Sequence, residues 1–403
     1  MLKRIKKLLL LSIISGISIF TLTHCSNDYP DSVYNPETSF KPNPTISDIQ
    51  PATALAGIDK ITIVGNNFSD VADENFVYFN GEKATILSSD ANSIIVQAPN
   101  LPLDSIRVQV SVSGALNFAE FSPYKLLSAI INYSDFDKFD ETSGLAMDKT
   151  ENLFVSLDSP SRVVMVGTDE VRNEYTPTIR KSTQMKYGPD GTIFYVNAIQ
   201  YLLKINADGA GDELFAVLPG AAYDLDFDQN QNIFCGGGAG GIYRVKLDKS
   251  SETKYQYDDF YIHALRVLEN YLYVAGSYSG SNASIPKEAI WRHEIISSDG
   301  DLGEKELIFD FAKSFVGFTI LSLAFDVDGV MYIGTDAPAG IIVVNMDGTF
   351  HELYPGVMEG TAYAMTWGND EFLYVTRKNE DESKRRILRI NMRKTTAPYY
   401  GRN

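Results

Sequence analysis

The stretch Gly144-Leu-Ala-Met-Asp148 has five relatives further along the chain, and this repetition decides the fold. The relatives are Gln184-Met-Lys-Tyr-Gly188, Asp224-Leu-Asp-Phe-Asp228, Ala264-Leu-Arg-Val-Leu268, Ser322-Leu-Ala-Phe-Asp326 and Ala364-Met-Thr-Trp-Gly368. Their aligned second residues stand at intervals of 40, 40, 40, 58 and 42 positions, as Leu145, Met185, Leu225, Leu265, Leu323 and Met365. Such a period indicates an architecture built from repeated supersecondary units.

Each repeat has the pattern of a four-stranded unit. After the stretch come a polar turn, an apolar strand such as Leu153-Phe-Val155, a third strand and, in most units, a weaker fourth. Four antiparallel strands in ~40–45 residues, repeated six times, predict a six-bladed β-propeller. One blade cannot bury both of its faces, so the blades must close into a ring. Because little chain follows Asn391, we expect Leu126 to Tyr133 to supply the outer strand of the sixth blade.

The repeat resembles the NHL family over residues 124–396. Gly144-Leu-Ala-Met-Asp148, Leu153-Phe-Val155, Asp158 and Arg162-Val163 follow the order of the family's motif. The Asp after the second strand is missing in the middle blades. The resemblance implies a propeller and says little about activity, because one fold hosts many functions.

The segment before the repeats contains short alternating strands such as Lys60 to Val64 and Ser93 to Ala98, separated by turn residues. This pattern predicts a small β-sandwich at residues 44–122. Pro44-Thr-Ile46-Ser-Asp-Ile49-Gln-Pro51 and Ile61-Thr-Ile63-Val-Gly65-Asn-Asn67-Phe68 resemble the immunoglobulin-like IPT/TIG family. The resemblance implies a spacer or a docking surface. The whole chain is therefore expected to be all-β, with this sandwich followed by the propeller.

The N-terminus has the features of a targeting segment. Four cations precede an apolar run from Leu8 to Leu22, and this run is shorter than the ~20 residues of a membrane-spanning helix. Leu22-Thr-His24-Cys25 resembles a bacterial lipobox, with His24 where a small residue is usual. The resemblance implies a signal peptide at residues 1–24, a lipidated Cys25 and a tether at residues 25–43. We expect a lipid-anchored protein of the cell envelope, at the outer membrane.

Composition excludes one class of partner. The chain has 403 residues, with 35 Lys and Arg against 52 Asp and Glu, and a formal charge of −17. Nucleic acid needs a concentrated basic surface, so it is not an expected partner. Cys25 and Cys235 are the only cysteines, so no intramolecular disulfide can form once Cys25 is lipidated.

Candidate binding residues follow from propeller geometry, in which the inner strands begin at the mouth of a central channel. The positions two residues before each aligned Leu or Met are expected to ring this mouth; they are Ser143, Thr183, Tyr223, His263, Leu321 and Tyr363. One residue after the aligned position stand Lys186, Asp226 and Arg266. These three charges form either a ligand site or a salt-bridged ring that fits the blades together. Tyr278, in an expected long loop of blade four (residues 275–289), is a further candidate for stacking on a sugar.

No catalytic or metal-binding motif is present among the sequence patterns. None of His24, His263, His293 and His351 lies within ligand spacing of another, so no cofactor and no metal are expected. Asp228 to Asn232 resembles the start of a calcium loop, but a turn is the favoured interpretation because the Gly and closing Glu of that loop are missing.

Three functions remain open. The favoured one is a cell-surface lipoprotein that binds a glycan or an envelope protein through the loop face of its propeller, with the sandwich as spacer. The second is a lactonase-like hydrolase or lyase with its active site around His263 and Asp226. Gluconolactonase-type propellers bind a divalent cation through Glu, Asn and Asp, and we assign no such trio here. The third is an assembly partner in the envelope.

Overall fold

Alternating apolar residues build a two-sheet sandwich at the start of the described chain. The computed structural model describes residues 39–238, 240–378 and 385–402, so the predicted signal peptide and Cys25 lie outside it. One sheet has the order β1 (Thr45–Gln50), β3 (Lys60–Asn66), β7 (Ser93–Gln97) and β6 (Thr85–Ser89). The other has the order β2 (Thr53–Leu55), β9 (Ala119–Leu127), β8 (Leu103–Val112), β4 (Asn75–Phe79) and β5 (Glu82–Lys83). Ile61, Ile63, Val77, Phe79 and Ile94 pack between the sheets.

Six four-stranded antiparallel sheets follow in the described residues, one for each sequence repeat. From the inner to the outer strand, blade one contains β11 (Thr142–Met147), β12 (Leu153–Asp158), β13 (Ser161–Val166) and β14 (Arg172–Pro177). Blade two contains β15 (Gln184–Tyr187), β16 (Ile193–Val196), β17 (Tyr201–Ile205) and β18 (Asp212–Val217). Blade three contains β19 (Asp224–Phe227), β20 (Ile233–Gly236), β21 (Gly241–Val245) and β22 (Ser251–Gln256).

The last three blades repeat this order. Blade four contains β23 (Phe260–Leu268), β24 (Tyr271–Tyr278), β25 (Glu288–Glu294) and β26 (Glu306–Asp310), and is followed by a short helix α1 (Phe311–Ser314). Blade five contains β27 (Ile320–Phe325), β28 (Met331–Thr335), β29 (Ile341–Val344) and β30 (Phe350–Glu352). Blade six contains β31 (Ala364–Trp367), β32 (Phe372–Arg377), β33 (Arg386–Asn391) and β10 (Ile130–Asn132). The predicted all-β fold, a sandwich followed by a propeller, is confirmed.

The ring closes by pairing the two ends of the propeller. In blade six, Ile130 pairs with Ile390, Ile131 with Arg389 and Asn132 with Leu388. The expected closure by the segment before the first repeat is therefore confirmed for residues 130–132. Leu126 and Leu127 belong instead to β9 of the sandwich, because they pair with β2 and β8. Each inner strand contacts the next, and β31 contacts β11 to complete the circle.

Apolar side chains between blades hold the ring together. The described residues contain one buried cluster at each of the six interfaces between neighbouring blades. Between blades two and three, for example, Phe194 and Val196 pack against Leu225 and Cys235. No blade has a core of its own, which is why the fold requires the complete circle.

The recurring Asp at the end of an inner strand forms the turn that follows it. Asp228 Oδ1 accepts hydrogen bonds from the backbone N–H groups of Asn230 and Asn232, both at 2.8 Å. Asp148 and Asp326 do the same in blades one and five. The Asp228 segment is thus the predicted turn. Among the described residues, no helix is long and apolar enough to cross a membrane.

Candidate functional site

The inner strands bring five of the six predicted mouth residues around one pocket. This mouth pocket has a volume of about 210 Å³ and is lined by Thr183, Gln184, Tyr223, Tyr261, His263, Leu321 and Tyr363. Ser143 is not part of the lining, because its hydroxyl group donates to Asp158 Oδ1 at 2.9 Å. The structure adds Gln184 and Tyr261. Tyr261 stands two residues before His263 on β23, but the register irregularity between Ile262 and Ala264 interrupts the alternation of faces, so spacing alone did not indicate that both residues line the pocket.

Aromatic rings form one wall of the mouth pocket. The ring centroids of Tyr223 and Tyr261 lie 4.8 Å apart, and those of Tyr261 and His263 lie 5.0 Å apart. Across the mouth, the Lys378 ammonium group lies 5.0 Å from the ring centroid of Tyr363. Burial raises the pKa of Tyr363 to about 12 and raises that of Tyr261 as well. These hydroxyl groups are therefore neutral near pH 7 and can donate or accept hydrogen bonds.

His263 is the one ionisable nitrogen base in the lining, and burial lowers its pKa to about 4. Its Nε2 atom lies 2.7 Å from Ser277 Oγ, and Ser277 in turn donates to Glu288 Oε2 at 2.5 Å. Desolvation also raises the pKa of Glu288. A neutral imidazole can hydrogen-bond a polar ligand without carrying charge into the pocket.

Among the residues that the structure describes, the lining of the mouth pocket contains no acidic side chain. At its edge, the Asp158 carboxylate contacts Lys378 Nζ at 3.0 Å and accepts a hydrogen bond from Ser143, and behind His263 the Glu288 Oε1 atom lies 4.0 Å from Nε2. In the part of the chain that the structure describes, no group of three or more His, Cys, Asp and Glu side chains is arranged to hold a metal ion. The polar groups that the described lining presents are the hydroxyl groups of Thr183 and the tyrosines, the Gln184 amide and the His263 imidazole.

The second set of sequence candidates lies deeper and does not reach the mouth pocket. Asp226 is fully buried and accepts hydrogen bonds from Arg266 Nη1 at 2.5 Å and from the backbone N–H of Val267 at 2.7 Å. Lys186 and Arg266 line a small cavity of about 20 Å³ below the mouth. For Asp226 and Arg266 the structure favours the alternative of a salt bridge that joins neighbouring inner strands.

Asp224 lies between these two levels and is also buried. Its carboxylate accepts hydrogen bonds from the backbone N–H groups of Leu225 and Leu265, both at 2.8 Å. Desolvation raises its pKa to about 6, against the opposing effect of the Lys186 charge. Asp224 therefore also ties blade three to blade four.

The end of the channel opposite the mouth pocket is covered by residues 395–402, which we call the C-terminal cap. Arg402 donates to the carbonyl groups of Met147 at 2.8 Å and Trp367 at 2.5 Å. Counting both backbone and side-chain bonds, the cap contacts every blade, through Met147, Tyr187, Gln231, Glu269, Phe325 and Trp367 in turn. The channel is thus open toward the mouth pocket and covered at its other end.

The expected role of Tyr278 in an exposed loop is wrong. Tyr278 is buried because β24 continues through it, and its ring packs 4.9 Å from that of Phe260. Only residues 279–287 form the connection, since β25 already begins at Glu288. Tyr278 supports the interface between blades three and four and does not line the mouth pocket.

The protein is thus all-β, and the mouth pocket lies at the open end of its propeller. Residues 44–126 match the model of the IPT/TIG domain. A search of curated protein sequences found no match. Among solved structures, the chain is similar to an auxiliary nutrient binding protein from Bacteroides thetaiotaomicron, at 11% identity with a TM-score of 0.52, covering 87% of this chain and 97% of that one.

The chain is also similar to the solved structures of a gluconolactonase and a calcium-binding protein. A gluconolactonase from Xanthomonas campestris is 15% identical with a TM-score of 0.51, covering 65% of this chain and 89% of that one. Regucalcin, a calcium-binding protein from Agrobacterium tumefaciens, is 11% identical with a TM-score of 0.50, covering 65% of this chain and 94% of that one. At these identities the likeness establishes the fold alone.

Proposed function

We propose that this protein is a binding protein that takes one sugar residue, at the end of a glycan, into the mouth pocket. The observation that carries the proposal is the lining itself, which combines three tyrosines and a neutral histidine and, within the described part of the chain, no acidic group. Aromatic faces stack on the apolar faces of sugars, and Thr, Gln and His side chains bond their hydroxyl groups.

The size of the pocket supports a single ring as the bound group. Its volume of about 210 Å³ is below the ~300 Å³ at which pockets for drug-sized molecules begin. Because the C-terminal cap covers the other end of the channel, a longer glycan would have to extend outward from the mouth. This geometry suits the terminal residue of a chain.

The same lining argues against the lactonase-like alternative. A cation-dependent hydrolase of that type needs carboxylate oxygens that converge on the substrate, because these are the ligands that hard cations prefer. Glu288, the nearest acid behind His263, already accepts one hydrogen bond on each oxygen, from Ile320 and from Ser277. The similarity to gluconolactonase therefore supports a shared fold and does not by itself support a shared reaction.

The cellular arrangement is part of the proposal. A lipid on Cys25, a tether and the IPT/TIG sandwich would carry the propeller away from an outer membrane, with the mouth pocket free to meet glycans. Radiolabelled palmitate should label the full chain in its bacterial host, and Cys25→Ala should abolish the labelling. Labelling that persists in the variant would remove the anchor from the proposal.

Binding can be tested with a fragment of residues 26–403 on a glycan array, followed by calorimetry with the strongest glycan. Tyr223→Ala should weaken binding roughly tenfold, the equivalent of about 1.4 kcal/mol, by removing one stacking face. Tyr271→Ala is the matched control, since Tyr271 begins β24 at the opposite end of blade four. Equal affinity of the Tyr223 variant and wild type, or no glycan bound at all, would overturn the proposal.

A further inference from the structure

Three side chains form a relay from the wall of the mouth pocket into blade four. His263 Nε2 lies 2.7 Å from Ser277 Oγ, and Ser277 donates to Glu288 Oε2 at 2.5 Å. Glu288 Oε1 accepts a hydrogen bond from the backbone N–H of Ile320 at 2.9 Å, which fixes the carboxylate. Ser277 and Glu288 do not line the mouth pocket, and their hydrogen bonds connect them to it through His263.

The relay determines which ring nitrogen of His263 carries the proton. A serine hydroxyl has one hydrogen, and here it is given to the Glu288 carboxylate. Ser277 Oγ can then only accept from His263, so Nε2 must be the protonated nitrogen. Since a neutral imidazole has a single N–H, Nδ1 is left as an acceptor, and no described residue hydrogen-bonds it.

Burial keeps the ring in this neutral state. The pKa of His263 is lowered to about 4, so the imidazole is uncharged near pH 7. His263 lines the pocket, and its Nδ1 atom is not among the buried side-chain atoms without a partner, so it is open to the pocket. It is a more basic acceptor than the hydroxyl and amide oxygens of the described lining. Thr183 already uses its hydroxyl hydrogen within the protein, on the carbonyl groups of Tyr223 and Val196.

We propose that Ser277 and Glu288 are positioning residues that hold His263 Nδ1 as the acceptor for one hydroxyl group of the bound sugar. The inference rests on the proposed function and deepens it by naming a specificity element. The pocket selects sugars that present a free hydroxyl group to Nδ1. A sugar in which that hydroxyl is removed or methylated leaves Nδ1 without its partner, which costs roughly a factor of ten in affinity.

Glu288→Gln tests the relay without changing the size of the side chain. The amide can keep accepting from Ile320 through its oxygen, while its NH₂ group donates to Ser277 Oγ. Ser277 must then donate to His263 Nε2, and the ring proton moves to Nδ1. The ¹⁵N NMR shifts of the imidazole in the 26–403 fragment distinguish the two tautomers, and this fragment contains only three histidines.

Wild type should show the Nε2–H tautomer and Glu288→Gln the Nδ1–H tautomer. Glu294→Gln, on the same strand but exposed, is the matched control and should leave His263 unchanged. An Nδ1–H or doubly protonated ring in wild type, or no change in Glu288→Gln, would overturn the inference while leaving the proposed function intact. An unfolded variant would be recognised by its amide spectrum, and Ser277→Ala then serves in its place, with loss of the single Nε2–H state expected.

The ligand arm uses methyl glycosides of the common hexoses and their monodeoxy analogues in calorimetry. For the glycoside that binds, one deoxy analogue should bind about tenfold more weakly. Glu288→Gln should weaken the parent glycoside and leave that analogue unaffected. Equal losses for both compounds would contradict a role for Nδ1. Binding of no glycoside would overturn the proposed function and the role of Nδ1 with it, whatever tautomer is observed.

Discussion

Replacement of Arg402 by Ala should destabilise the propeller, although this residue lies outside all six blades. Arg402 donates to the carbonyl groups of Met147 and Trp367 and to Asn369 Oδ1, at 2.8, 2.5 and 3.0 Å. At about 1 kcal/mol net for each bond, the loss is about 3 kcal/mol. Burial of the charged guanidinium is itself unfavourable, as the lowered pKa of Arg402 shows, and the variant no longer has this cost. The net loss in the free energy of unfolding is therefore about 2–3 kcal/mol.

The assay is thermal unfolding of the 26–403 fragment, followed by calorimetry. For a domain larger than 250 residues, a loss of about 2–3 kcal/mol lowers Tm by roughly 3–5 °C. Arg162→Ala is the control, because Arg162 makes a surface ion pair with Glu174 at 3.2 Å that is worth at most about 1 kcal/mol. A Tm for the Arg402 variant within about 1 °C of wild type would show that the bonds of Arg402 do not stabilise the ring.

Three further predictions concern closure, buried charge and the free thiol. Tyr133→Ala should cost about 3–5 kcal/mol in urea unfolding and Tyr133→Phe far less, because the buried ring packs 4.9 Å from Tyr374 beside the closing strand; equal costs would contradict this. Asp224 has a pKa of about 6, above its unfolded value, so its protonation stabilises the fold at low pH and this stability is lost as pH rises from about 4 to about 6. As pH rises from about 4 to about 6, the Tm of wild type should therefore fall relative to the Tm of Asp224→Asn. A difference between the two Tm values that does not change with pH would refute the raised pKa of Asp224. Cys235 is fully buried, and burial raises the pKa of its thiol, so a thiol reagent should label the 26–403 fragment only at the rate of unfolding.

The blades could be predicted from the sequence because their determinants are local and repeated. The aligned Leu and Met residues, such as Leu145 and Leu225, occupy the same buried position on the inner strands of their blades. The Asp at the end of the stretch, as in Asp228, forms its turn with residues two and four positions later. Periodicity therefore identifies the strands without any knowledge of long-range contacts.

The mouth could be predicted only in part. Backbone irregularities between Thr142 and Leu145, and between Ile262 and Ala264, shift the register at the beginning of two inner strands. A one-residue shift exchanges the faces of a strand, so the spacing could not separate Ser143, which turns to Asp158, from His263, which enters the pocket. The prediction for Tyr278 was wrong for a related reason. The residues before it were expected to form a loop, but they extend the pairing of β24 with β25.

The C-terminal cap could not be predicted at all, because it belongs to no repeat and its bonds join residues far apart in the chain. Arg402 and Met147, for example, are separated by 255 positions. The cap nevertheless bears on the proposed function, because in that proposal a ligand would enter and leave the channel through the mouth. On that route the ligand meets Tyr261, 38% exposed, before the more enclosed His263. Stacking on Tyr261 and Tyr223 would therefore orient a sugar before its hydroxyl group reaches Nδ1, so loss of Tyr261 should slow association, and disruption of the relay should speed dissociation.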